Sequence, residues 1–202
     1  MSNLPLENTI NIILKRSIDV LVALTVILLL LSWFIPVLAI IIKITSKGPI
    51  FFIQERSGKD GVPFNCIKLR SMHLNNLANQ QQAVENDVRI TWMGKFLRNF
   101  SLDELPQFIN VLIGQMSIIG PRPHMLKHTE TYSGIVEDYM NRLHVKPGIT
   151  GLSQVMGYRG EIKNKMMIAN RVRLDIFYIK KWSVGLDIKI VFKTIRLILL
   201  GD

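Results

Sequence analysis

The sequence of 202 residues is poor in cysteine and in acidic side chains. Its one cysteine, Cys66, excludes an intrachain disulfide and predicts a reducing compartment, with the thiol as a small buried side chain. Fifteen acidic residues against 25 basic ones leave a formal net charge of +10. We therefore expect an anionic partner, which could be nucleic acid, anionic lipid or a phosphorylated substrate.

Charged residues are also almost absent from residues 17–42, where Asp19 is the only one. As a helix this segment would be about 39 Å long, enough to cross a hydrocarbon core of about 30 Å. Nucleic-acid-binding proteins seldom carry such a segment, so we expect lipid or a phosphorylated substrate and no nucleic acid. No small-x-small cleavage site ends the apolar run, so we expect it to be retained in the protein.

Two topologies fit this apolar segment. Lys15 and Arg16 precede it and Lys43 and Lys47 follow it, so both flanks carry the basic residues that favour the cytoplasmic side. Pro36 removes one backbone hydrogen bond inside the segment and predicts a kink. A kinked re-entrant helix that enters and leaves by the same face satisfies both flanks, and a straight single span remains open.

A small β-hairpin is predicted after the membrane segment. Residues 50–56 and 64–69 are typical of short strands, and the glycine-containing segment between them is typical of a tight turn. Residues 74–88 are polar and predict a surface helix or loop. Residues 91–99 predict a short basic helix.

Two adjacent acids, Asp103 and Glu104, mark a predicted helix start. Ser101 and Glu104 match the S-x-x-E capping box, which is the ordinary explanation of such acids. Pro106 would then lie in the second turn and cost a hydrogen bond, whereas with Asp103 as the cap it lies in the first turn at little cost. The helix should end near Ile113, and its expected buried stripe is Leu105, Phe108, Ile109 and Leu112.

The segment after this helix carries an arginine in a rigid turn. In Gly120-Pro121-Arg122-Pro123, Arg122 is either an ordinary exposed loop residue or a ligand for phosphate oxygens, which suit its planar guanidinium. Residues 124–145 predict a helix. The histidines at 124, 128 and 144 lack a zincin-like spacing, so no metal site is expected from them. The glycine-rich loops at 147–151 and 157–161 match neither a Walker nor a Rossmann fingerprint.

The C-terminal segment, residues 186–200, predicts an amphipathic helix. Lys189, Lys193 and Arg196 recur at spacings of four and three residues on an otherwise apolar helix. Such a pattern fits a core helix or a helix in the membrane interface, and the apolar segment near the N-terminus favours the interface.

Several motifs occur together in an order that resembles one known family. They are Gly48-Pro49 with Phe52-x-Gln54-x-Arg56-x-Gly58, Lys68-x-Arg70-Ser71-Met72, Ser101-Leu-Asp-Glu-Leu-Pro-Gln107, Met116-Ser-Ile-Ile-Gly-Pro-Arg-Pro-His124 and Lys146-Pro-Gly-Ile-Thr-Gly151. From Lys15 to the C-terminus the chain resembles the bacterial sugar transferases, or monotopic phosphoglycosyl transferases. The segment 157–161, with His124 and Arg173-x-Asp175, looks like the branch that transfers hexose phosphate.

The resemblance implies an α+β fold, a mostly helical membrane-associated catalytic domain with a small β-hairpin. Residues 1–47 would form an N-terminal re-entrant membrane helix. Residues 48–202 would form the catalytic domain, with interfacial amphipathic helices, on the cytoplasmic face of the bacterial inner membrane. Larger glucose-type members carry a further four-helix N-terminal region, so we expect a minimal catalytic unit here.

The resemblance also implies a reaction. A hexose 1-phosphate passes from a UDP-sugar, with UDP-glucose or UDP-galactose favoured, to undecaprenyl phosphate, and UMP is released at the start of exopolysaccharide synthesis. Asp103 would be the nucleophile that carries a covalent phosphosugar. Glu104 would assist, either in binding the required Mg²⁺ with Asp103 or in managing the acceptor's proton.

Further residues would bind phosphate or substrate. By the resemblance, Arg122 and Lys68 hold phosphate oxygens and Asp175 supports the site. The complete expected set is Lys68, Arg70, Arg89, Arg122, Arg159, Glu161 and Asp175. A homodimer is compatible with the sequence, although no residue fixes the oligomeric state. The competing hypothesis is a non-catalytic membrane-surface adaptor, in which the acids are helix caps and the basic stripe binds anionic lipid.

Overall fold

The computed structural model describes residues 4–75, 84 and 87–200. Its fold combines helices with two small sheets, which confirms the expected mixed class. The helices are α1 (Thr9–Val26), α2 (Ser32–Thr45), α3 (Trp92–Asn99), α4 (Gln107–Leu112), α5 (Leu126–Ser133), α6 (Leu152–Val155), α7 (Lys165–Lys181) and α8 (Val184–Leu200). The strands are β1 (Phe51–Ser57), β2 (Pro63–Leu69), β3 (Ser117–Ile119) and β4 (Gly148–Thr150).

One continuous helix forms the N-terminal part of the chain. Helices α1 and α2 are joined through a π-helical turn at Ile27–Leu31, giving 37 residues from Thr9 to Thr45. By length and composition this helix could cross a membrane. The π turn lies just before Pro36, which has no N–H to donate to the helical ladder.

The first part of this helix is anchored to the rest of the protein by polar contacts. The buried carboxylate of Asp19 accepts hydrogen bonds from Ser117 Oγ and Ile118 N, each at 3.0 Å. The Arg16 guanidinium donates to the carbonyls of Val111 and Leu112, at 2.6 and 2.8 Å. It thereby caps the C-terminal end of α4, where carbonyls lack helical partners.

Both ends of the helix also make apolar contacts with the domain that follows. Leu4 and Leu6, just before α1, pack against the cluster that contains Tyr178 and Trp182. Toward the other end, Leu38 and Ile42 pack with Leu69, Met93 and Leu97. Between these regions most side chains are exposed, including Leu28, Leu29 and Trp33.

The predicted hairpin is confirmed. Strands β1 and β2 pair antiparallel, with Phe52 opposite Lys68 and Arg56 opposite Phe64. The turn between them contains Asp60 and Gly61, both with positive φ. Strands β3 and β4 form a separate parallel pair. Most of the predicted helix or loop at 74–88 lies outside the described residues.

The single helix predicted for residues 124–145 is wrong. Helix α5 ends at Ser133 with Gly134 as its C-cap, and a short 3₁₀ segment, Tyr139–Leu143, follows. Glycine disfavours continuation of a helix, which accounts for the interruption. The other short predicted helix, at 91–99, is confirmed as α3, capped by the Thr91 side chain on Gly94 N.

The main core lies between α7, α8 and β3. Tyr178, Ile179 and Trp182 pack there with Ile119 and Ile190. The predicted C-terminal helix is confirmed as α8, which buries Ile190 but leaves other apolar side chains exposed, among them Phe192 and Leu199. Cys66 is 1 % exposed, as expected for a small core side chain.

Candidate active site

The two acids lie in a tight turn ahead of α4. Ser101 adopts a left-handed conformation with φ of 58°, and Leu102–Glu104 form a single 3₁₀ turn. Neither predicted cap is correct, because α4 begins at Gln107 with Pro106 as its N-cap. At that position the missing N–H of proline falls outside the helical hydrogen-bond ladder, where it costs least.

Helix α4 is held against β2 by a buried amide, and its predicted buried stripe is partly wrong. The fully buried residues are Gln107, Asn110 and Val111, whereas the four expected side chains are only partly buried. Asn110 Oδ1 accepts from Ile67 N at 3.0 Å, and its amide donates to Asn65 O at 2.7 Å. This pair of bonds fixes the acid turn relative to the strand that carries Lys68.

Glu104 lies at the centre of a charged cluster that it forms with Lys68 and Arg122. Its Oε1 accepts hydrogen bonds at 2.7 Å from both Lys68 Nζ and Arg122 Nη2, while Oε2 accepts from Arg122 Nη1 at 3.2 Å. Burial raises the pKa of the Glu104 carboxyl, but the charges and hydrogen bonds of Arg122 and Lys68 outweigh it and hold that pKa well below its ordinary value. Glu104 is therefore an ionised anchor for two cations.

Asp103 stands in a different environment. Its side chain is 7 % exposed, and it makes no hydrogen bond or ion pair with any residue within 4–75 or 87–200, nor with residue 84. Burial raises the pKa of the Asp103 carboxyl, and the charges of Lys68, Arg98 and Arg122 oppose that rise. A buried carboxylate without a partner is costly, so this group is available to a ligand.

Both acids line a cavity of about 510 Å³ that is otherwise strongly basic. This volume lies in the range of about 300–1,000 Å³ that is usual for small-molecule sites. Its arginine and lysine side chains are Arg56, Lys68, Arg70, Arg98, Arg122, Arg159 and Arg171. A cavity with this balance of charge suits a ligand with several phosphate oxygens.

Another part of the cavity wall is formed by Arg171 and His124. Burial, followed by the charge of Arg122, lowers the pKa of Arg171 to about 10. Burial and the charges of Arg142 and Arg171 hold the pKa of His124 well below its ordinary value, so the ring is neutral. Because His124 Nε2 faces the Arg171 donor at 3.5 Å, Nδ1 carries the proton and donates to Tyr139 Oη at 2.6 Å.

Asp175 supports the site from behind the cavity. It is 1 % exposed, accepts from Arg142 Nε at 2.9 Å and accepts from Ser153 Oγ at 2.8 Å. Arg142 in turn donates from Nη2 to the backbone carbonyl of Arg122 at 2.7 Å. Asp175 therefore fixes the loop that carries Arg122.

The remaining residues predicted for the site fall into two groups. Arg70 and Arg159 line the cavity, although Arg70 also donates to the carbonyls of Lys47 and Ser46 and so ties down the end of α2. Arg89 and Glu161 are not among the lining residues. Arg89 instead forms an ion pair with Asp87 at 2.6 Å, beside the undescribed part of the chain.

Comparison with known proteins gives the family. A family model described as bacterial sugar transferase matches residues 10–201. The chain belongs to the bacterial sugar transferase family. This confirms the resemblance carried by the acid pair, the Arg122 turn and the hairpin motifs.

Named relatives of this sugar transferase cover almost all of its length. The UDP-glucose:undecaprenyl-phosphate glucose-1-phosphate transferase of Klebsiella pneumoniae is 49% identical over 189 residues, which is 93% of this chain and 40% of that protein. The protein of the same name in Caulobacter vibrioides is 43% identical over 93% of this chain and 70% of its own length. The exopolysaccharide production protein PSS of Rhizobium leguminosarum is 38% identical over 92% of this chain and 94% of its own length. The chain thus spans about two fifths of the Klebsiella relative.

Several residues that line the cavity were not predicted from the sequence. Arg56 lies two residues after Gln54 on β1, so the two side chains share one face of the strand. This spacing could have predicted that Arg56 lines the cavity together with Gln54. Arg171 lies one helical turn before Asp175 in α7, so helical spacing places both on the buried face. Arg98, on the last turn of α3, had no signal beyond its nearness to the acids in the chain.

The acids of the cavity would suit Mg²⁺ in one arrangement. No cluster of three or more histidine, cysteine or acidic residues occurs in the part of the chain that the structure describes. Mg²⁺ is usually held by one or two carboxylates together with substrate phosphates. The Asp103 carboxylate makes no hydrogen bond within the described part of the chain, whereas the Glu104 oxygens are shared with Lys68 and Arg122, so Asp103 would be the better ligand of the two.

Proposed function

We propose that this sugar transferase passes a hexose 1-phosphate from a UDP-sugar to a polyprenyl phosphate, undecaprenyl phosphate in bacteria, and releases UMP. One observation carries the proposal: a buried Asp103 carboxylate, which has no partner among the described residues, lies beside Glu104 in a cavity lined by seven basic side chains. Membership of the bacterial sugar transferase family supports it.

In the first step, the Asp103 carboxylate attacks the phosphorus that bears the sugar. The bond from that phosphorus to the oxygen bridging the two phosphates breaks, and its electron pair leaves with UMP. The product is an acyl phosphate on Asp103 that carries the sugar. A carboxylate nucleophile divides a difficult transfer into two easier ones.

In the second step, a phosphate oxygen of the polyprenyl phosphate attacks the same phosphorus. The bond to Asp103 breaks, the carboxylate is regenerated and a polyprenyl diphospho-sugar leaves. In both displacements Asp103 lies on one side of this phosphorus, so the acceptor's phosphate takes the position that UMP has left and one cavity serves both phosphates in turn.

The basic side chains stabilise the charge on the phosphate oxygens. Phosphoryl transfer depends mainly on position and on neutralisation of this charge. Lys68 and Arg122 are already oriented by Glu104, and because their charges hold the pKa of Glu104 below its ordinary value, Glu104 is a weak base. We therefore assign Glu104 the role of positioning these two cations, in preference to that of a base for the acceptor.

Magnesium would be held by Asp103 and substrate phosphate oxygens, with Glu104 nearby. When bound, it would neutralise phosphate charge. Arg56 and Arg98 line the same cavity and contribute to that neutralisation from the protein side.

UDP-glucose and UDP-galactose are the proposed donors. Relatives named for undecaprenyl-phosphate glucose-1-phosphate transfer, including the 50% identical protein of Escherichia coli, support glucose. A 40% identical relative from Erwinia amylovora is named UDP-galactose-lipid carrier transferase, which supports galactose. Assay of UMP release across a panel of UDP-sugars will decide between them.

Replacement of the nucleophile tests the reaction. Purified wild type with Mg²⁺, polyprenyl phosphate and the matching UDP-sugar should release UMP, and Asp103→Asn, which keeps the shape of the side chain, should release none above background. Asp138→Asn is the control, because Asp138 is exposed and lies outside the cavity. UMP release by Asp103→Asn at the wild-type rate would exclude Asp103 as the nucleophile.

The N-terminal helix is proposed to be re-entrant, so that the domain lies on the cytoplasmic face of the inner membrane. Packing of Leu4 and Leu6 at one end, and of Leu38 and Ile42 at the other, onto the same domain supports this topology. In a Cys66→Ser background, Glu7→Cys should resist a membrane-impermeant maleimide in intact cells and react after permeabilisation. Lys59→Cys, in the hairpin turn, is the matched cytoplasmic control. Labelling of Glu7→Cys in intact cells would mean that the N-terminal helix crosses the membrane.

A further inference from the structure

A second cavity lies on the other side of the acid turn. It has a volume of about 330 Å³ and lies between the turn and α8. Its wall is mainly apolar and includes Leu105, Phe108, Ile149, Val191, Ile195 and Ile198. Such a lining favours a hydrocarbon ligand over a sugar or a nucleotide.

The two cavities share part of their walls. Glu104 and Arg159 line both of them. Arg159 also donates a hydrogen bond to Ser101 Oγ, which holds its guanidinium beside the acid turn. A molecule with an apolar chain and an anionic end could therefore lie in the second cavity and present its charge at the first.

The two threonines of the second cavity offer little to a peptide, and Gln154 Oε1, which has no partner among the described residues, could accept from a single N–H group. The hydroxyls of Thr150 and Thr194 bond to each other at 2.8 Å, and Thr194 also donates to the carbonyl of Ile190 at 2.9 Å. A buried peptide backbone needs hydrogen-bond partners for its own N–H and C=O groups. These hydroxyls are already engaged, whereas a hydrocarbon chain needs no partners.

The rim of the cavity joins an exposed apolar surface. Phe100 and Ile195, which line the cavity, are 45% and 48% exposed. The Phe96 and Phe100 rings pack in a tilted arrangement with centroids 5.0 Å apart, and Leu199 follows Ile195 one turn later on α8 with 75% exposure. An exposed apolar surface of this kind is typical of contact with a membrane, from which a lipid could enter.

We propose that this second cavity binds the isoprenoid units of the acceptor that lie next to its phosphate, and that Arg159 receives that phosphate. The inference rests on the proposed function for the identity of the acceptor. It explains how the acceptor's phosphate could reach the position that UMP vacates in the basic cavity while its isoprenoid chain lies outside that cavity. The acceptor's remaining isoprene units would stay in the bilayer.

A cavity-filling variant tests the inference through the two half-reactions. Ile195→Trp should place an indole in the cavity and raise the KM for polyprenyl phosphate about tenfold or more, which corresponds to roughly two methylene groups excluded from an apolar site. The burst of UMP formed without acceptor should stay at the wild-type size, because that step uses the other cavity. Ile188→Trp is the matched control, since Ile188 lies on the same helix, is 51% exposed and does not line the cavity.

Each result of this comparison has a defined meaning. A raised acceptor KM in Ile195→Trp alone supports the inference. Equal KM values for the acceptor in Ile195→Trp, Ile188→Trp and wild type overturn it. Wild type that forms no UMP with any UDP-sugar overturns the proposed function instead, and binding of the lipid is then judged by a measurement that needs no turnover.

That measurement is photolabelling of the full-length wild-type chain. A short isoprenoid phosphate with a diazirine in its first isoprene units should label residues 100–108 or 191–198, and unlabelled polyprenyl phosphate should compete. Labelling confined to other segments overturns the inference. Equal competition by a saturated phospholipid also overturns it, because the cavity would then be a general lipid crevice.

Discussion

Arg122 places both terminal guanidinium nitrogens on the carboxylate of Glu104, at 2.7 and 3.2 Å. This two-point contact fixes the direction of the guanidinium as well as its charge. The backbone of Arg122 is held at the same time by Arg142, which is itself paired with Asp175. The Arg122 guanidinium is therefore oriented from both ends.

Arg122→Lys tests the value of that orientation. Lysine keeps the charge but offers one nitrogen, so kcat/KM should fall about 10- to 100-fold, in line with the loss of a charge-assisted hydrogen bond. Steady-state UMP release measures the change. Arg173→Lys on the exposed side of α7 is the control and should match wild type. Full activity in Arg122→Lys would mean that charge alone is sufficient.

The pH dependence should report the environment of Asp103. Burial raises the pKa of this carboxyl, and the ionised form is the nucleophile, so kcat/KM should fall on the acid side at a higher pH than for an ordinary aspartate. The positive charge of Arg98 lowers the pKa of Asp103, so Arg98→Gln should move this acid limb to still higher pH. Lys95→Gln, an exposed cation on the same helix, should leave it in place. If kcat/KM of Arg98→Gln fell at the same acidic pH as in wild type, a group other than Asp103 would control this part of the pH profile.

Asp175→Asn should destabilise the fold. Arg142 is 1 % exposed and would lose its charged partner, and an uncompensated buried charge costs about 3–5 kcal/mol. Chemical denaturation measures the free energy of unfolding, with exposed Glu137→Gln as the reference. A loss of activity without loss of stability would instead point to a direct role for Asp175 in the reaction.

Gly94→Ala should also destabilise the protein, because α3 packs tightly on the end of the hairpin. A Cβ at Gly94 would lie 1.8 Å from the Ser71 carbonyl oxygen, so the backbone must move, at a cost of about 1–3 kcal/mol or more. Gly185→Ala in α8 meets no atom within 4 Å and should be neutral or stabilising by up to about 1 kcal/mol. The difference in melting temperature between the two variants is the measurement, and equal values would contradict the close packing.

The sequence by itself determined the features that depend on local pattern. Two short strand-like segments around a glycine-containing turn predicted the hairpin of β1 and β2, and the long apolar run predicted the N-terminal helix. The order of short motifs gave the family and singled out Asp103, Glu104, Lys68 and Arg122. These features can be predicted from the sequence because each pattern is formed by residues that are neighbours along the chain.

Only the tertiary structure decided which groups meet. Glu104 is bound by residues 36 and 18 positions away, and those contacts make it an ionised anchor while neighbouring Asp103 has no partner among the described residues. The engagement of the Glu104 side chain excludes the predicted capping box. Packing of α7 brings Arg171 into the cavity wall. The acid turn thus lies between a basic cavity and an apolar one, a relationship that depends on long-range packing of α8 against β4 and α6.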